Sequence, residues 1–302
     1  MKAPAMISVA VAVTVLLSVG TLYVLTNDDG DSRPVIYTSM GWQKEIAEEV
    51  AGDGYRVVSF IEPGGTPHAV EVSAQKIALS SNAVAYFYIG AGMAWEDRNL
   101  ESVKAGIKSY NCTEGAGIEL LHGHTHAEDG SVVEDPAALD GHVWTSPENL
   151  KKIAGYMKDV LGDEIPEDKE KFESGYGSFA AKCDALTELA DEKLKQTEEK
   201  EIIGWHAGWS YLLHGRNIVQ HSLELPGATM TPAWIELRGE CAESSEPVPI
   251  YLRYAGEGGI TEEALKKNGI NAELFYINPL SVDILGEIEK AIDTISENMN
   301  GA

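Results

Sequence analysis

From about Glu167 to Thr197 the chain runs without a proline, and its apolar residues fall at Phe172, Tyr176, Phe179, Cys183, Leu186, Ala190 and Leu194. The steps between them are four, three, four, three, four and four, which is the spacing of one face of an α-helix. Unbroken, such a helix is about 46 Å long at ~1.5 Å per residue. It could pair as a coiled coil or brace two lobes as a rigid strut. The strut is preferred because α/β patterning resumes beyond it. Gly175 and Gly177 weigh against its continuity, since a glycine inside a helix costs ~1 kcal/mol relative to alanine.

On either side of the strut, short apolar runs alternate with helical patterns. Pro34 to Ser39 and Tyr55 to Ile61 read as strands around a helix from Trp42 to Val50, and Val70 to Leu79 reads as a helix before a strand from Ala83 to Ile89. Gly90 to Glu114 is helix or loop, and Gly117 to Leu121 is a candidate strand. Ser146-Pro147-Glu148 opens a helix to about Leu161: serine caps the free N–H groups, proline suits the first turn, and glutamate suits the positive helix end. Beyond the strut come strands at Glu201 to Trp205, Asn217 to Leu223, Pro249 to Tyr254 and Ala272 to Ile277. Helices are expected from His206 to Leu213, Thr231 to Arg238, Thr261 to Gly269 and Val282 to Met299. Alternation of this kind implies parallel sheets. The expected class is therefore α/β, two lobes with parallel sheets joined by one long rigid helix. The expected division is 1–33 anchor or signal with its tether, 34–165 first lobe, 166–198 bridging helix and 199–302 second lobe.

Met6 to Leu25 carries no charge over twenty residues, enough to match a hydrocarbon layer ~30 Å thick, and a polar tether follows. It reads as an uncleaved anchor or, alternatively, a cleaved signal, with the body outside the cytoplasm. With 23 Lys and Arg against 48 Asp and Glu, the formal charge is −25. Such a surface repels nucleic acid and attracts cations. Cys112, Cys183 and Cys241 form no CxxC pair, which argues against a cysteine-rich zinc site, and their odd number excludes complete pairing within the chain. Cys112 with Cys241 is an open pairing.

Three of the eight histidines stand out by position. His68 lies in the loop after the second strand, His142 lies just before the capped helix, and His206 directly follows the strand after the strut. Ligands of open α/β sheets bind at the carboxyl ends of strands. Neutral imidazole suits Zn²⁺, Cu²⁺ or Ni²⁺ better than Ca²⁺ or Mg²⁺. Their spacing alone is no zinc signature. A separate cluster, His122-Gly123-His124-Thr125-His126, is expected to be a solvated loop that touches metal loosely, as a collecting or sensing device.

The order of these landmarks resembles the zinc/manganese solute-binding proteins of ABC importers. Gly64-Gly65-Thr66-Pro67-His68-Ala69-Val70-Glu71 is similar to that family's first-ligand motif. Gly141-His142-Val143-Trp144-Thr145-Ser146-Pro147-Glu148-Asn149 resembles its second, and His206-Ala207-Gly208-Trp209-Ser210-Tyr211 resembles its third. The resemblance runs from about Pro34 to Asn298. It implies His68 and His142 from the first lobe and His206 from the second around one ion, delivered to a permease with its ATPase. Where the family often places an aspartate before Pro-Leu, this chain has Asn278-Pro279-Leu280, so the fourth ligand is Asn278, Asp283 or water. The ion implied is Zn²⁺, or Mn²⁺, carried as cargo by a monomeric binding domain with no catalytic step. Two other readings stand beside it: a zinc hydrolase with an open three-histidine site, and a receptor for a chelate such as a cobalamin or siderophore.

Overall fold

The computed structural model describes residues 31–61, 83–126, 132–204, 208–222, 251–253 and 274–300. Val35–Ala302 form one compact unit, and Met1–Pro34 form a second. The expected anchor and the expected helices at Val70 to Leu79, Thr231 to Arg238 and Thr261 to Gly269 lie outside the described residues. Among the described residues no helix is long and apolar enough to cross a membrane.

The first sheet holds β1 (Val35–Thr38), β2 (Arg56–Ser59), β3 (Ala85–Tyr88) and β4 (Ser109–Asn111) in the order β2-β1-β3-β4, every pair parallel. Ile36 faces Val57 on one side and Ala85 on the other. Ile36, Tyr86 and Phe87 are fully buried, as the near-continuous apolar runs of a two-sided sheet require. α1 (Gly41–Ala51) links β1 to β2, and the Gln43 side chain accepts from the Met40 N–H at its start, 3.1 Å. α2 (Ala94–Lys104) links β3 to β4. β4 was not separable by pattern, because Ser-Tyr-Asn is three residues without alternation. α3 (Cys112–Gly115) is a single turn after it.

Two expectations change here. Gly117 to Leu121 forms no strand; the strand begins at His122. The histidine cluster is not a loop but β5 (His122–His126), paired antiparallel with β6 (Val132–Leu139), with a register shift between His122 and Gly123. β6 reads Val-Val-Glu-Asp-Pro-Ala-Ala-Leu, and its acids and proline suit only an edge or irregular strand, so composition concealed the hairpin.

α4 (Pro147–Glu164) is followed by the strut, α5 (Lys169–Leu194), a continuous helix of 26 residues. It runs through both glycines. A Cβ at Gly175 would lie 2.4 Å from the Glu49 carbonyl oxygen and 2.5 Å from that of Val50, so the glycine lets α5 approach the end of α1 backbone to backbone. The predicted stripe is the buried face: Phe172, Phe179, Cys183, Ala190 and Leu194 meet α1, α4 and α7 (Ile284–Asn300), while Tyr176 is half-buried under Lys158. Helical stability here comes from this face rather than from propensity. α7 buries Ile284, Ile288, Ala291, Ile292 and Ile295 against the same core, each isoleucine contributing roughly 1.5–3 kcal/mol as an upper bound.

Past the strut, β7 (Lys200–Gly204) pairs parallel with β8 (Ile218–Ser222), and β9 (Tyr251–Arg253) pairs parallel with β10 (Leu274–Tyr276). The helix expected from His206 shortens to α6 (Ser210–Leu213). Cys112 and Cys183 are buried thiols, free among the described residues, and Cys241 lies outside them.

Candidate metal centre

His142 sits on a turn built to hold it. Gly141 is pressed against the exit of β3: a Cβ there would lie 2.6 Å from the Ala91 carbonyl oxygen and 2.4 Å from Met93 Cε. After His142 the chain makes one 3₁₀ turn, Val143–Thr145, and enters α4. Thr145 Oγ1 donates to the His142 carbonyl, and Asn149 Nδ2 donates to that of Val143, both at 3.0 Å. Ser146 caps α4 as predicted, its Oγ accepting from the Asn149 N–H at 3.2 Å and donating to Glu148 at 2.7 Å.

The ring of His142 is oriented by Asp140. Nδ1 lies 2.7 Å from Asp140 Oδ1, and the same oxygen accepts the His142 backbone N–H at 2.9 Å. Burial pushes the Asp140 carboxyl up, but the His142 ring and backbone bonds, the ring's charge and a bond with the Ser210 hydroxyl outweigh it and hold the group below its usual range. Asp140 is therefore an acceptor, so the proton of a neutral imidazole resides on Nδ1 and the lone pair on Nε2. A carboxylate behind the imidazole is the arrangement by which proteins fix the tautomer of a metal-binding histidine and raise its basicity.

Behind the rim, the buried Glu96 carboxylate fastens the exits of two strands. It accepts from the Ile89 and Gly90 N–H groups at 2.7 and 2.8 Å and from Ser39 Oγ, which in turn meets Tyr86 Oη at 2.7 Å. Burial pushes the Glu96 carboxyl up, against the pull of those three donors.

Two further candidate segments meet the His142 turn. Trp144, fully buried and stacked on Trp42 at 5.4 Å, donates its indole N–H to the Pro279 carbonyl at 2.7 Å. That bond brings the Asn278-Pro279-Leu280 turn against the histidine turn. Tyr211 Oη accepts the Leu121 N–H at 3.0 Å and donates to the Asp140 carbonyl at 2.7 Å. Burial pushes the Tyr211 hydroxyl up to about 12, offset in part by the Leu121 N–H, so it keeps the proton it donates. Asn278 Oδ1 accepts from the Leu280 N–H at 3.0 Å, and the Asn278 N–H donates to Glu287 at 2.7 Å. Asp283 is exposed, and its Oδ1 accepts the Gly286 N–H at 3.0 Å as a cap on α7.

This fold has counterparts. A crystal structure of ZnuA superposes with a TM-score of 0.74 at 22% identity, covering 88% of this chain and 99% of that one. The solute-binding protein FpvC of Pseudomonas aeruginosa in complex with Mn²⁺ superposes with a TM-score of 0.73 at 18% identity, covering 89% and 99%. The zinc-binding lipoprotein AdcA of Streptococcus pneumoniae serotype 4 is 27% identical over 259 residues, 83% of this chain and 50% of the relative. The family model for ZnuA, the periplasmic component A of the zinc-uptake complex, matches residues 36–298. The chain belongs to this family.

The chain spans about half the length of the curated AdcA relatives it matches first. The solved ZnuA-type structures establish the fold class expected from sequence, two lobes on a long helix. Of the predicted ZnuA-type ligands, the structure describes His142, Asn278 and Asp283; His68 and His206 lie outside the described residues. His122 is exposed at the start of β5, and His124 and His126 follow at alternate positions. Among the described residues no group of three or more His, Cys, Asp or Glu is placed to hold a metal. Sequence reasoning missed the partner residues. Asp140 could have been found as a carboxylate two positions before a candidate ligand; Trp144 and Tyr211 fall within the family-like segments, but only the structure shows their indole and hydroxyl holding the turn.

Proposed function

We propose that this protein is the extracytoplasmic substrate-binding component of an ABC importer, capturing Zn²⁺ between two lobes and handing it to the permease. The observation that carries the reading is the Asp140–His142 pair, a buried carboxylate 2.7 Å behind an imidazole, at a turn that segments from beyond the long helix meet. His142, His68 and His206 supply imidazole nitrogens, and Asn278 or water completes the set. Three nitrogen donors with a neutral fourth group favour Zn²⁺ over Mn²⁺, which is better matched by carboxylate oxygens. The family match supports import over the zinc hydrolase and the chelate receptor that the sequence left open. No chemical step is assigned: the protein binds its cargo and releases it.

The first lobe spans 34–165, the bridging helix 166–198 and the second lobe 199–302. The segment ahead of the first lobe anchors the body to the membrane or is removed as a signal. His122, His124 and His126 form an auxiliary collector at the hairpin, dispensable for the tight site. The net charge of −25 raises the local concentration of cations and excludes nucleic acid as a partner.

The test is calorimetric. Untagged Asp31 to Ala302, stripped by a chelator, is titrated with Zn²⁺ and then Mn²⁺. One tight zinc site that His142→Ala abolishes, and that replacing all three hairpin histidines leaves in place, is the expected result. Absence of tight zinc binding, or steady hydrolase turnover by the zinc form, overturns it.

A further inference from the structure

The stretch Gly208–Ser222, which follows the candidate ligand His206, grips the His142 turn on both sides. On one side the Ser210 hydroxyl bonds the Asp140 carboxylate, while Tyr211 Oη bridges the Leu121 N–H and the Asp140 carbonyl at 3.0 and 2.7 Å. On the other side the buried Arg216 guanidinium reaches Glu148 at 3.0 Å, in the first turn of α4, and Asp191 at 2.9 Å, near the end of α5. Its Nη1 also donates to the Leu212 carbonyl at 2.6 Å, which ties the cation to α6. Leu121 and Asp140 flank the β5–β6 hairpin and are joined by a bond from the Asp140 N–H to the Leu121 carbonyl, 2.9 Å. The Tyr211 hydroxyl therefore closes a ring through the hairpin's base.

We propose that Tyr211 and Arg216 form a two-point clasp that positions the His142 turn, so that release of bound metal requires the clasp to open. The inference rests on the metal-binding reading above. Tyr211 holds the backbone of Asp140, and Asp140 holds the imidazole. Arg216 holds Glu148, which shares Ser146 with the cap of α4. Neither residue is a ligand; both are positioning residues that act through the turn. Affinity differences produced by such contacts fall mainly on the dissociation rate.

The test uses the full chain in three variants. Tyr211→Phe removes one hydroxyl, Arg216→Lys keeps the charge but loses the fork, and Lys151→Gln cuts the bond from α4 to Asp184 on α5, away from the clasp. Amide hydrogen exchange is read on the metal-free chain, and Zn²⁺ release is followed with a chromogenic chelator. In Tyr211→Phe the Leu121 amide is expected to exchange about tenfold faster, having lost its acceptor. Zn²⁺ release is expected to quicken roughly two- to tenfold in Tyr211→Phe and in Arg216→Lys, as loss of one hydrogen bond implies. Lys151→Gln is expected to release at the wild-type rate even where it lowers the melting temperature. Unchanged release in both clasp variants, or equal acceleration in Lys151→Gln, overturns the clasp and leaves the functional reading intact. A wild-type chain that binds no Zn²⁺ overturns both.

Discussion

Trp42 and Trp144 are fully buried and stacked 5.4 Å apart at 19°, yet their indole N–H groups have different fates. Trp144 Nε1 donates to the Pro279 carbonyl at 2.7 Å, whereas Trp42 Nε1 meets no acceptor among the described residues. Replacing either with phenylalanine removes the same ring and leaves a similar void, costing roughly 1 kcal/mol at ~24 cal/mol per Å³ of residual cavity plus the lost transfer energy. Only Trp144→Phe also strands a buried carbonyl, at a further ~1–3 kcal/mol. Trp42→Phe instead discards an unpaired donor, which offsets part of its own loss. Trp144→Phe should therefore be about 1–3 kcal/mol less stable than Trp42→Phe. Urea unfolding of the metal-free protein, followed by far-ultraviolet circular dichroism, measures both. Equal losses, or a larger loss for Trp42→Phe, would refute the claim that the bond to Pro279 fastens the Asn278 turn to the His142 turn.

Other outcomes follow from single contacts. Ser146→Ala removes the cap of α4 and should cost about 1 kcal/mol in the same assay, a cost recovered by Ser146→Thr, which keeps the hydroxyl that Glu148 accepts from. Asp140→Asn keeps the shape but removes the charge behind His142, and zinc affinity by competition titration should fall ~10–100-fold. Burial pushes the Glu45 carboxyl up to about 7, with Asp283 and Glu49 adding to it and the Ile284 N–H and Lys182 opposing. The folded chain thus holds a proton that the unfolded chain gives up near 4.5, so this contribution is full below that pH and is lost as pH rises through about 7. Glu45→Gln should flatten that part of the stability profile; a slope identical to wild type between pH 5 and 8 would contradict the assignment (a range set by ~4.5 and ~7).

Much of the frame was legible because it is written in periodicity. The stripe from Phe172 to Leu194 announced the strut, and Ser146-Pro147-Glu148 announced α4, since capping and apolar spacing are local chemistry. The glycines misled for a tertiary reason: Gly175 is there for the carbonyls of Glu49 and Val50, which no local rule can see. The hairpin misled because Asp135-Pro136 belongs to turns by composition, while pairing with β5 overrides it. His142 was legible through its motif. What holds it was not, because the Tyr211 hydroxyl comes from beyond the strut and the Trp144 indole finds its acceptor at Pro279, far along the chain.

In the proposed function, imidazoles from both lobes meet at one ion. Anomalous diffraction at the zinc edge from crystals of the loaded protein tests this directly. A single strong peak ~2.0–2.1 Å from His142 Nε2, with nitrogens of His68 and His206 at the same distance, is the predicted result. A peak confined to the β5–β6 hairpin, or none within reach of His142, would contradict it.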